Sequence, residues 1–551
     1  MKKYYLLIIL LILCGSCQNS SKTEIPIQQY KQLEGLCKLW GFLKYYHPEI
    51  GSGELNWDSV LLCKINTLKT PINQHQYNET LLSIIPEVKM IDSIVKIEAP
   101  FLLNFDSNIF SDTSLFSQSI RDQCQQILAN KSPYKNFYIH SNTYSENPLI
   151  INDSLFYSYD QINLEIRLLG LFRLWNIINY YYPYKYLLDK DWNSVLQSYI
   201  PQFMNAEEKL DYYLIVRRFL SEINDNHVFV SSKLFSEYFG PYTLPIELKA
   251  INGNYLISNI YVEINNSIRI GDVLKKIDGV DIQTMEKEYK SIISSSNKEA
   301  FKNIITFYLC RTKDSIVKIE VSRNNSKFEY IITAYDKEKT KKIKSLNNND
   351  TLTFSITDEI AYINLKNLKY YQADSVLNTV SLSKVIILDL RNNCNYIIDE
   401  LSNFLFEKQI YFYDYLVPNY NFPGIFSIKR DGHVMLGTPN QNPYDGKIIV
   451  LINENTQSIG EFTTMLLEKY SNTLLIGSNT AGADGNVSIA YLPGKLKVHF
   501  SGLGIYYPGF SKTQRVGITP DIVVKPTRNG IAANKDEVLN FAIQKAKDSV
   551  N

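Results

Sequence analysis

The residues best suited to covalent chemistry lie between an apolar run, Ile448-Ile449-Val450-Leu451-Ile452, and an apolar-periodic helix that continues through Tyr470. The connecting segment reads Asn453-Glu454-Asn455-Thr456-Gln457-Ser458-Ile459-Gly460-Glu461. A serine at a strand-to-helix turn sits outside the carboxyl end of its strand, where open α/β sheets place ligands. The helix that follows presents unpaired N–H groups and a positive partial charge, both suited to a developing oxyanion. Ser458 is therefore a candidate nucleophile. The same spacing, Ser458-x-x-Glu461, is also a capping box, in which the serine only satisfies backbone donors. Local sequence leaves both readings open.

A serine nucleophile needs a base. Among the six histidines, His227 stands apart because of an internal repeat. Leu36-Cys37-Lys38-Leu39-Trp40 runs on to Tyr45-Tyr46-His47-Pro48 and Trp57-Asp58-Ser59-Val60-Leu61, and Leu171-Phe172-Arg173-Leu174-Trp175 runs on to Tyr181-Tyr182-Pro183 and Trp192-Asn193-Ser194-Val195-Leu196. The Trp-to-Trp spacing is 17 in both copies. Each copy reads as a helix stopped by proline, a loop and a second helix. The second copy ends in Glu222-Ile223-Asn224-Asp225-Asn226-His227-Val228-Phe229-Val230, a helix-to-strand junction, whereas the first ends in Leu82-Ser83-Ile84-Ile85-Pro86 with no histidine. A lone histidine is as readily structural as catalytic, so His227 is a candidate base and no more. His47, His75, His140, His433 and His499 show no metal-ligand spacing, and neither a metal nor a cofactor is expected.

These residues must be positioned by large units. At 551 residues, 45% hydrophobic and 21% charged, the chain has room for about three or four domains with their own cores. Lys+Arg is 57 and Asp+Glu 56, which argues against nucleic-acid binding through a bulk basic field and against disorder. The 40 Tyr against 4 Trp favour broad amphipathic surfaces without naming a function. Seven Cys are too few for a disulfide scaffold; Cys37, Cys63, Cys124, Cys310 and Cys394 read as buried free thiols. Cys14 and Cys17 close an N-terminal segment with a basic start and a short apolar core, the pattern of an export signal. Small residues directly before Cys17 resemble a bacterial lipobox, with Cys17 lipidated and Gln18 onward a polar tether; an ordinary signal peptide is the alternative. Residues 95–160 read as irregular. From about 242 to 336 short strands dominate, and Ile268-Arg269-Ile270-Gly271-Asp272-Val273-Leu274-Lys275-Lys276-Ile277-Asp278-Gly279-Val280 looks like the core of a PDZ domain, which adds an extended peptide as a strand. A small β-barrel that only packs against its neighbours is the alternative. The Lys/Asn-rich stretch 337–350 reads as a linker. Beyond it Ile360–Leu365, Val385–Leu390, Ile448–Ile452 and Leu474–Ile476 read as strands alternating with helices, a βα-type sheet.

Four segments occur in order: Asp389-Leu390-Arg391-Asn392-Asn393, Thr456-Gln457-Ser458-x-x-Glu461, Gly477-Ser478-Asn479-Thr480-Ala481-Gly482-Ala483-Asp484-Gly485 and Arg515-Val516-Gly517-Ile518-Thr519-Pro520-Asp521. Behind a PDZ-like unit they resemble the tail-specific (C-terminal-processing) serine peptidase family, and Asp225-Asn226-His227 matches the Asp-x-His context of its tricorn-like branch. The Ser/Lys branch carries a lysine 25 residues after the nucleophile, where this chain has Ala483. The resemblance implies that Ser458 attacks a peptide carbonyl while His227 takes and returns the proton, with the oxyanion held by the N–H groups of Ile459 and of a residue near Cys394. Two positions depart from the family. The turn after the Asp-Leu-Arg strand reads Asn393-Cys394-Asn395-Tyr396 where glycines are usual, and Gln514 stands where the branch has a supporting glutamate. Gln514 is a candidate orienter of His227, with Glu461 or Asp484 as substitutes.

The residues and the resemblance together lead us to expect a multidomain α/β protein: a signal peptide (1–17), a tether (18–29), a first helical repeat with an irregular segment (30–160), a second repeat carrying His227 (161–240), a PDZ-like β-rich domain (241–337), a peptidase core of the ClpP/crotonase-like kind (351–530) and a C-terminal helix (531–551). The function expected is serine-type endopeptidase action on unfolded or C-terminal polypeptide segments, in a protein lipid-anchored in the cell envelope. The partners expected are polypeptide substrate and a membrane met only through the anchor, with no nucleic acid and with oligomeric state open. A catalytically weak peptide-binding lipoprotein and a carrier of apolar ligands are the alternatives.

Overall fold

A computed structural model describes residues 27–87, 97, 100–104, 106–129, 135–153, 156–262, 268–346, 354–357, 359–430 and 434–550. The expected signal segment with Cys17, residues 18–26 of the tether, and His433 lie outside the described residues.

The repeat is built on a reciprocal clasp. Helices α1 (Ile27–Tyr46) and α2 (Trp57–Thr67) form the first copy, and α3 (Leu164–Tyr181) and α4 (Trp192–Met204) the second. Trp40 Nε1 donates to the Trp57 carbonyl and Trp57 Nε1 to the Trp40 carbonyl, both at 3.0 Å. Trp175 and Trp192 repeat the exchange at 2.9 and 3.1 Å. The 17-residue spacing lets each buried indole satisfy its one donor on the other's backbone, which a buried Trp requires. Asn56 and Asp191 cap α2 and α4 by accepting from the N–H groups of Ser59 and Ser194. Buried ion pairs, Arg173 with Asp58 and Lys44 with Asp153, tie the two copies and the intervening segment together. That segment is less irregular than its composition suggests: it holds a helix, Gln118–Ala129, and a short hairpin, Ile139–Ser141 with Pro148–Ile150.

After α5 (Lys209–Ser221) the chain turns through Asn224, held at φ 53°, to His227 and strand β1 (Phe229–Ser231). A β-rich unit follows. Strands β2 (Ile246–Ile251), β3 (Asn254–Ile260), β4 (Val273–Ile277), β5 (Ile316–Arg323) and β6 (Ser326–Thr333) pair in the order β6-β5-β4-β3-β2, and helices α6 (Ile282–Lys290) and α7 (Lys298–Leu309) lie between β4 and β5 in sequence. Residues Lys337–Leu346 form helix α8 and are no simple linker. Lysine and glutamate are good helix formers, so a lysine-rich stretch reads as a linker by charge yet holds a helix by propensity.

The C-terminal half is built on a sheet ordered β7 (Phe354–Thr357), β8 (Ile360–Asn364), β9 (Val385–Asp389), β12 (Lys447–Ile452), β13 (Thr473–Gly477) and β17 (Ile522–Val523), antiparallel at β7–β8 and parallel thereafter. Alternation along the central strands serves two cores. Ile386, Leu388, Ile448, Val450 and Ile452 pack with helices α9 (Ala373–Val380), α10 (Ile398–Leu405) and α11 (Ile459–Leu467). Val385, Ile387, Ile449 and Leu451 pack against α12 (Glu537–Val550) on the other face. Burial of each such side chain contributes about 1.5–3 kcal/mol, so both faces resist any slip in register. The architecture is mixed α/β and multidomain.

Two further sheets join the halves. Phe101–Leu103 of the first half pairs with β11 (Ile425–Lys429), beside β10 (Asp414–Pro418) and β16 (Gly504–Tyr507). Strand β1 pairs with β15 (Leu496–Ser501), itself paired with β14 (Val487–Leu492), in the register Phe229↔His499, Val230↔Val498 and Ser231↔Lys497. Phe229 stacks on His499 with ring centroids 4.2 Å apart. This pairing carries His227 into the C-terminal half. Cysteines Cys37, Cys124 and Cys310 are buried and Cys394 partly so, but Cys63 is exposed, against expectation.

Candidate active site

The turn between β12 and α11 holds Ser458 at φ 53° and ψ −121°. This is the backbone of the first central residue of a type II′ turn, a conformation that favours glycine. A serine held there is strained, and such strain concentrates at functional sites. Its amide donates to the Ala483 carbonyl at 2.8 Å, and its carbonyl accepts from Phe462 N–H at 2.9 Å. Its hydroxyl caps nothing. The capping-box reading is thereby corrected. Among the described residues the N–H of Ile459, first in α11, has no acceptor, so one donor of the helix terminus is free beside Ser458.

The side-chain oxygens of Glu461 bond to the loop after β13. Its carboxylate accepts from the Thr480 hydroxyl and from the N–H groups of Gly482 and Ala483, the latter two at 2.8 Å each. Those bonds hold the 480–483 loop against the start of α11. Burial pushes the carboxyl up to about 7 although all of these donors favour its charge. The folded state therefore binds this proton more tightly than the unfolded chain. The resulting stability is full below about pH 4.3, the ordinary glutamate value, and is lost as pH rises through about 7, a swing of about 4 kcal/mol. Glu461→Gln cannot ionise, so denaturant unfolding at pH 5 and pH 8 should show the wild type losing about 3 kcal/mol more than the variant. Equal losses in both proteins would contradict this account.

On the neighbouring strand end, Arg391 pairs with Asp389 and with Asp536 of the segment before α12. The Leu390 carbonyl accepts from the Thr456 hydroxyl at 3.0 Å, which fixes the two strand ends relative to each other. Asn393 adopts φ 64°, and its side-chain oxygen accepts from the Cys394 N–H at 3.0 Å. A Cβ on Gly460 would stand 2.6 Å from that oxygen, so glycine at 460 is what admits the asparagine against α11. The consequence bears on the second oxyanion donor, expected near Cys394. In this structure the Cys394 amide is occupied by Asn393.

His227 is buried, 4% exposed. Its Nδ1 lies 3.0 Å from Ser501 Oγ, and the Ser501 hydroxyl donates to Asp225 Oδ2 at 2.7 Å. With its own proton committed to Asp225, Ser501 can only accept from His227, so Nδ1 carries the hydrogen and Nε2 keeps its lone pair. Asp225 also accepts from His227 N–H at 2.9 Å and from Tyr182 O–H at 3.2 Å. Burial lowers the imidazole pKa from its ordinary value, with Asp225 opposing the shift, and leaves a neutral ring that can accept a proton. Among the described residues no hydrogen bond joins Ser458 to His227. The residues just before them do meet: Asn226 Nδ2 donates to Gln457 Oε1 at 3.0 Å.

The other expected supports stand elsewhere. Gln514 is buried with neither amide atom hydrogen-bonded, and it makes no bond to His227. Glu461 serves the 480–483 loop, and Asp484 Oδ1 accepts from Gly485 N–H at 2.7 Å. Orientation of His227 falls instead to Ser501 and Asp225. Ser501 could not be read from sequence, since 274 residues separate it from His227. Its only local signal is the glycine-punctuated run Ser501-Gly502-Leu503-Gly504 at a strand end. Among the described residues no three His, Cys, Asp or Glu side chains cluster to hold a metal ion.

Two cavities meet at Ser458. One, of about 410 Å³, is lined also by Ile459, Phe462 and Asp484. The other, of about 670 Å³, runs along Asn486, Val487 and Ser488. Ser145 borders both, on a loop of the first helical half anchored by Asn147 Nδ2 to Ser488 Oγ at 2.8 Å. A larger cavity of about 790 Å³, bordered by Lys233, Lys337 and Lys497, touches neither Ser458 nor His227.

Comparison with known proteins bears on the family and the fold. Residues 359–524 match the family model described as Peptidase family S41. Over 394 residues the chain is 22% identical to a protein of Sulfurisphaera tokodaii described as a Tricorn-like protease C-terminal subunit, covering 65% of this chain and 40% of that relative. The chain thus spans about two fifths of the length of the curated relative it matches. Among solved structures it is similar to mature CPAF, with a TM-score of 0.56 at 14% identity over 70% of this chain and 97% of that one. Mature CPAF complexed with lactacystin gives a TM-score of 0.55 at 14% identity, over 70% and 98%. At that identity the likeness is one of fold.

Proposed function

We propose that this chain is a serine-type endopeptidase that hydrolyses peptide bonds in unfolded or C-terminal polypeptide segments. Ser458 Oγ attacks the scissile carbonyl carbon while its proton passes to His227 Nε2. The carbonyl oxygen takes up the negative charge and is held by the Ile459 N–H. The C–N bond then breaks, His227 returns the proton to the leaving amine, and water repeats the sequence on the acyl-enzyme. Ser501 and Asp225 act as positioning residues that hold the imidazole with Nε2 unprotonated. The observation that carries this reading is the left-handed backbone of Ser458 with its hydroxyl released from capping. In the same reading residues 241–337 are a PDZ-like peptide-binding domain and residues 351–530 a ClpP/crotonase-like core.

A fluorophosphonate probe tests it. Labelling of the folded protein, lost in Ser458→Ala, is the expected result. No labelling together with retained peptide binding would sink the enzyme and favour a peptide-binding module. The occupied Cys394 amide is the observation that favours this second reading.

The N-terminal segment extends the proposal to location. Its basic start, its short apolar core and Cys14-Gly15-Ser16-Cys17 support a lipidated Cys17 and an envelope anchor. Among the described residues no helix is long and apolar enough to cross a membrane. Stable anchoring by acyl chains needs more than one chain, as a lipidated N-terminal cysteine supplies. Cys17→Ala should abolish incorporation of labelled palmitate and move the protein out of the membrane fraction. Unchanged fractionation would remove this part of the proposal.

A further inference from the structure

The 410 Å³ cavity beside Ser458 is aromatic on its walls and acidic in charge. Tyr413 and Phe462 meet edge to face with centroids 4.7 Å apart, and Tyr415 stands 5.8 Å from Tyr413. Two carboxyl groups border the cavity, Glu146 and Asp484, and no Lys, Arg or His does so among the described residues. Glu146 accepts from the Tyr415 hydroxyl at 2.7 Å, which fixes it at the rim. Asp484 is 3% exposed, and its Oδ2 has no hydrogen-bond partner. Burial first, and then the neighbouring Glu461, push its carboxyl well above the usual range, and no cation counters them. A buried acid without a partner is costly unless something pairs with it.

We infer that this cavity is the pocket for the side chain of the residue that contributes the scissile carbonyl, and that it selects lysine or arginine. The assignment to that side of the bond rests on the proposed role of Ser458 and Ile459. Ile459 lines this cavity and not the 670 Å³ one, so a carbonyl oxygen on its N–H delivers the attached side chain here. The selectivity rests on the lining. Ring faces attract a cation, and an apolar wall accommodates the methylene stem of either side chain. Asp484 and Glu146, which border the cavity, offer the carboxylate partners that an ammonium or guanidinium needs.

The test uses the full chain and two peptides that differ at one position, arginine against norleucine. On the Ser458→Ala protein, fluorescence anisotropy should show the arginine peptide binding about tenfold or more tightly, as expected for a desolvated charge pair with cation–π support. Asp484→Asn, placed on that background, should bring the two affinities to within about twofold. Glu146→Gln, at the rim, provides a milder variant should Asp484→Asn fail to fold, and it should reduce the ratio in part. Equal or tighter binding of norleucine, or a ratio unmoved by either substitution, overturns the inference. Failure of the peptidase reading shows itself separately: the wild type stays unlabelled by fluorophosphonate while the arginine preference persists, which still supports the pocket.

Discussion

Ser458→Ala should abolish hydrolysis, with kcat falling on the order of 10⁶-fold, because an alanine leaves no atom to form the acyl-enzyme. The fold should survive the change. The Ser458 hydroxyl makes no capping bond, and the bonds that fix the turn run through its backbone to Ala483 and Phe462. Ser458→Gly makes a sharper companion. At φ 53° a side chain costs about 1–2 kcal/mol that glycine avoids, offset by about 0.5–1 kcal/mol of extra freedom in the unfolded chain. The glycine variant should therefore be inactive yet at least as stable as the wild type in urea, with an unchanged m value. Peptide hydrolysis or probe labelling that survives in either variant would remove Ser458 from the mechanism.

His227→Ala is the second large effect. Loss of the base should lower kcat on the order of 10⁶-fold, about as much as loss of the nucleophile, because the two act as a unit. The sequence alone suggests little cost in stability; its burial revises that. Removing a 4% exposed ring that faces Ser501 should destabilise the protein by about 1–3 kcal/mol. Ser501→Ala separates positioning from proton transfer. It leaves the imidazole in place without the acceptor that fixes its tautomer, so kcat/KM should fall about tenfold rather than to background. Because burial lowers the His227 pKa, the acid limb of the wild-type pH profile should lie below about 6.5. Loss of Ser501 withdraws support from the protonated ring and should move that limb lower still. An unmoved limb would make Ser501 a packing residue only.

The Trp spacing of 17 was legible as a repeat because the indole-to-carbonyl exchange that it serves is local to each copy. The strands of the C-terminal sheet were legible because burial on both faces demands near-continuous apolar runs. Ser458-x-x-Glu461 stays open in sequence because the partners of Glu461 lie 19 to 22 residues further on, in a loop that sequence cannot fold back. The state of the Cys394 amide is unreadable in sequence for a different reason. A donor can be counted from sequence, but whether a neighbouring side chain such as Asn393 has already taken it cannot.

The sequence by itself determined the chemistry-bearing residue types: a serine at a strand-to-helix turn, a histidine after an Asn-Asp-Asn turn, an alanine where a lysine would otherwise serve. The serine and the histidine follow from periodicity, repeat and turn preference, which act over a few residues, while the alanine at 483 has meaning only through the family resemblance. Only the tertiary structure decided what supports them. The pairing of β1 with β15 brings Ser501 to His227 across 274 residues, and Asp225 then sets the proton on that serine. Gln514, which its place in a motif recommends, is left without a bond to the histidine. Hydrogen-bond direction and burial are properties of the packed neighbourhood, and that neighbourhood exists only once distant strands have paired.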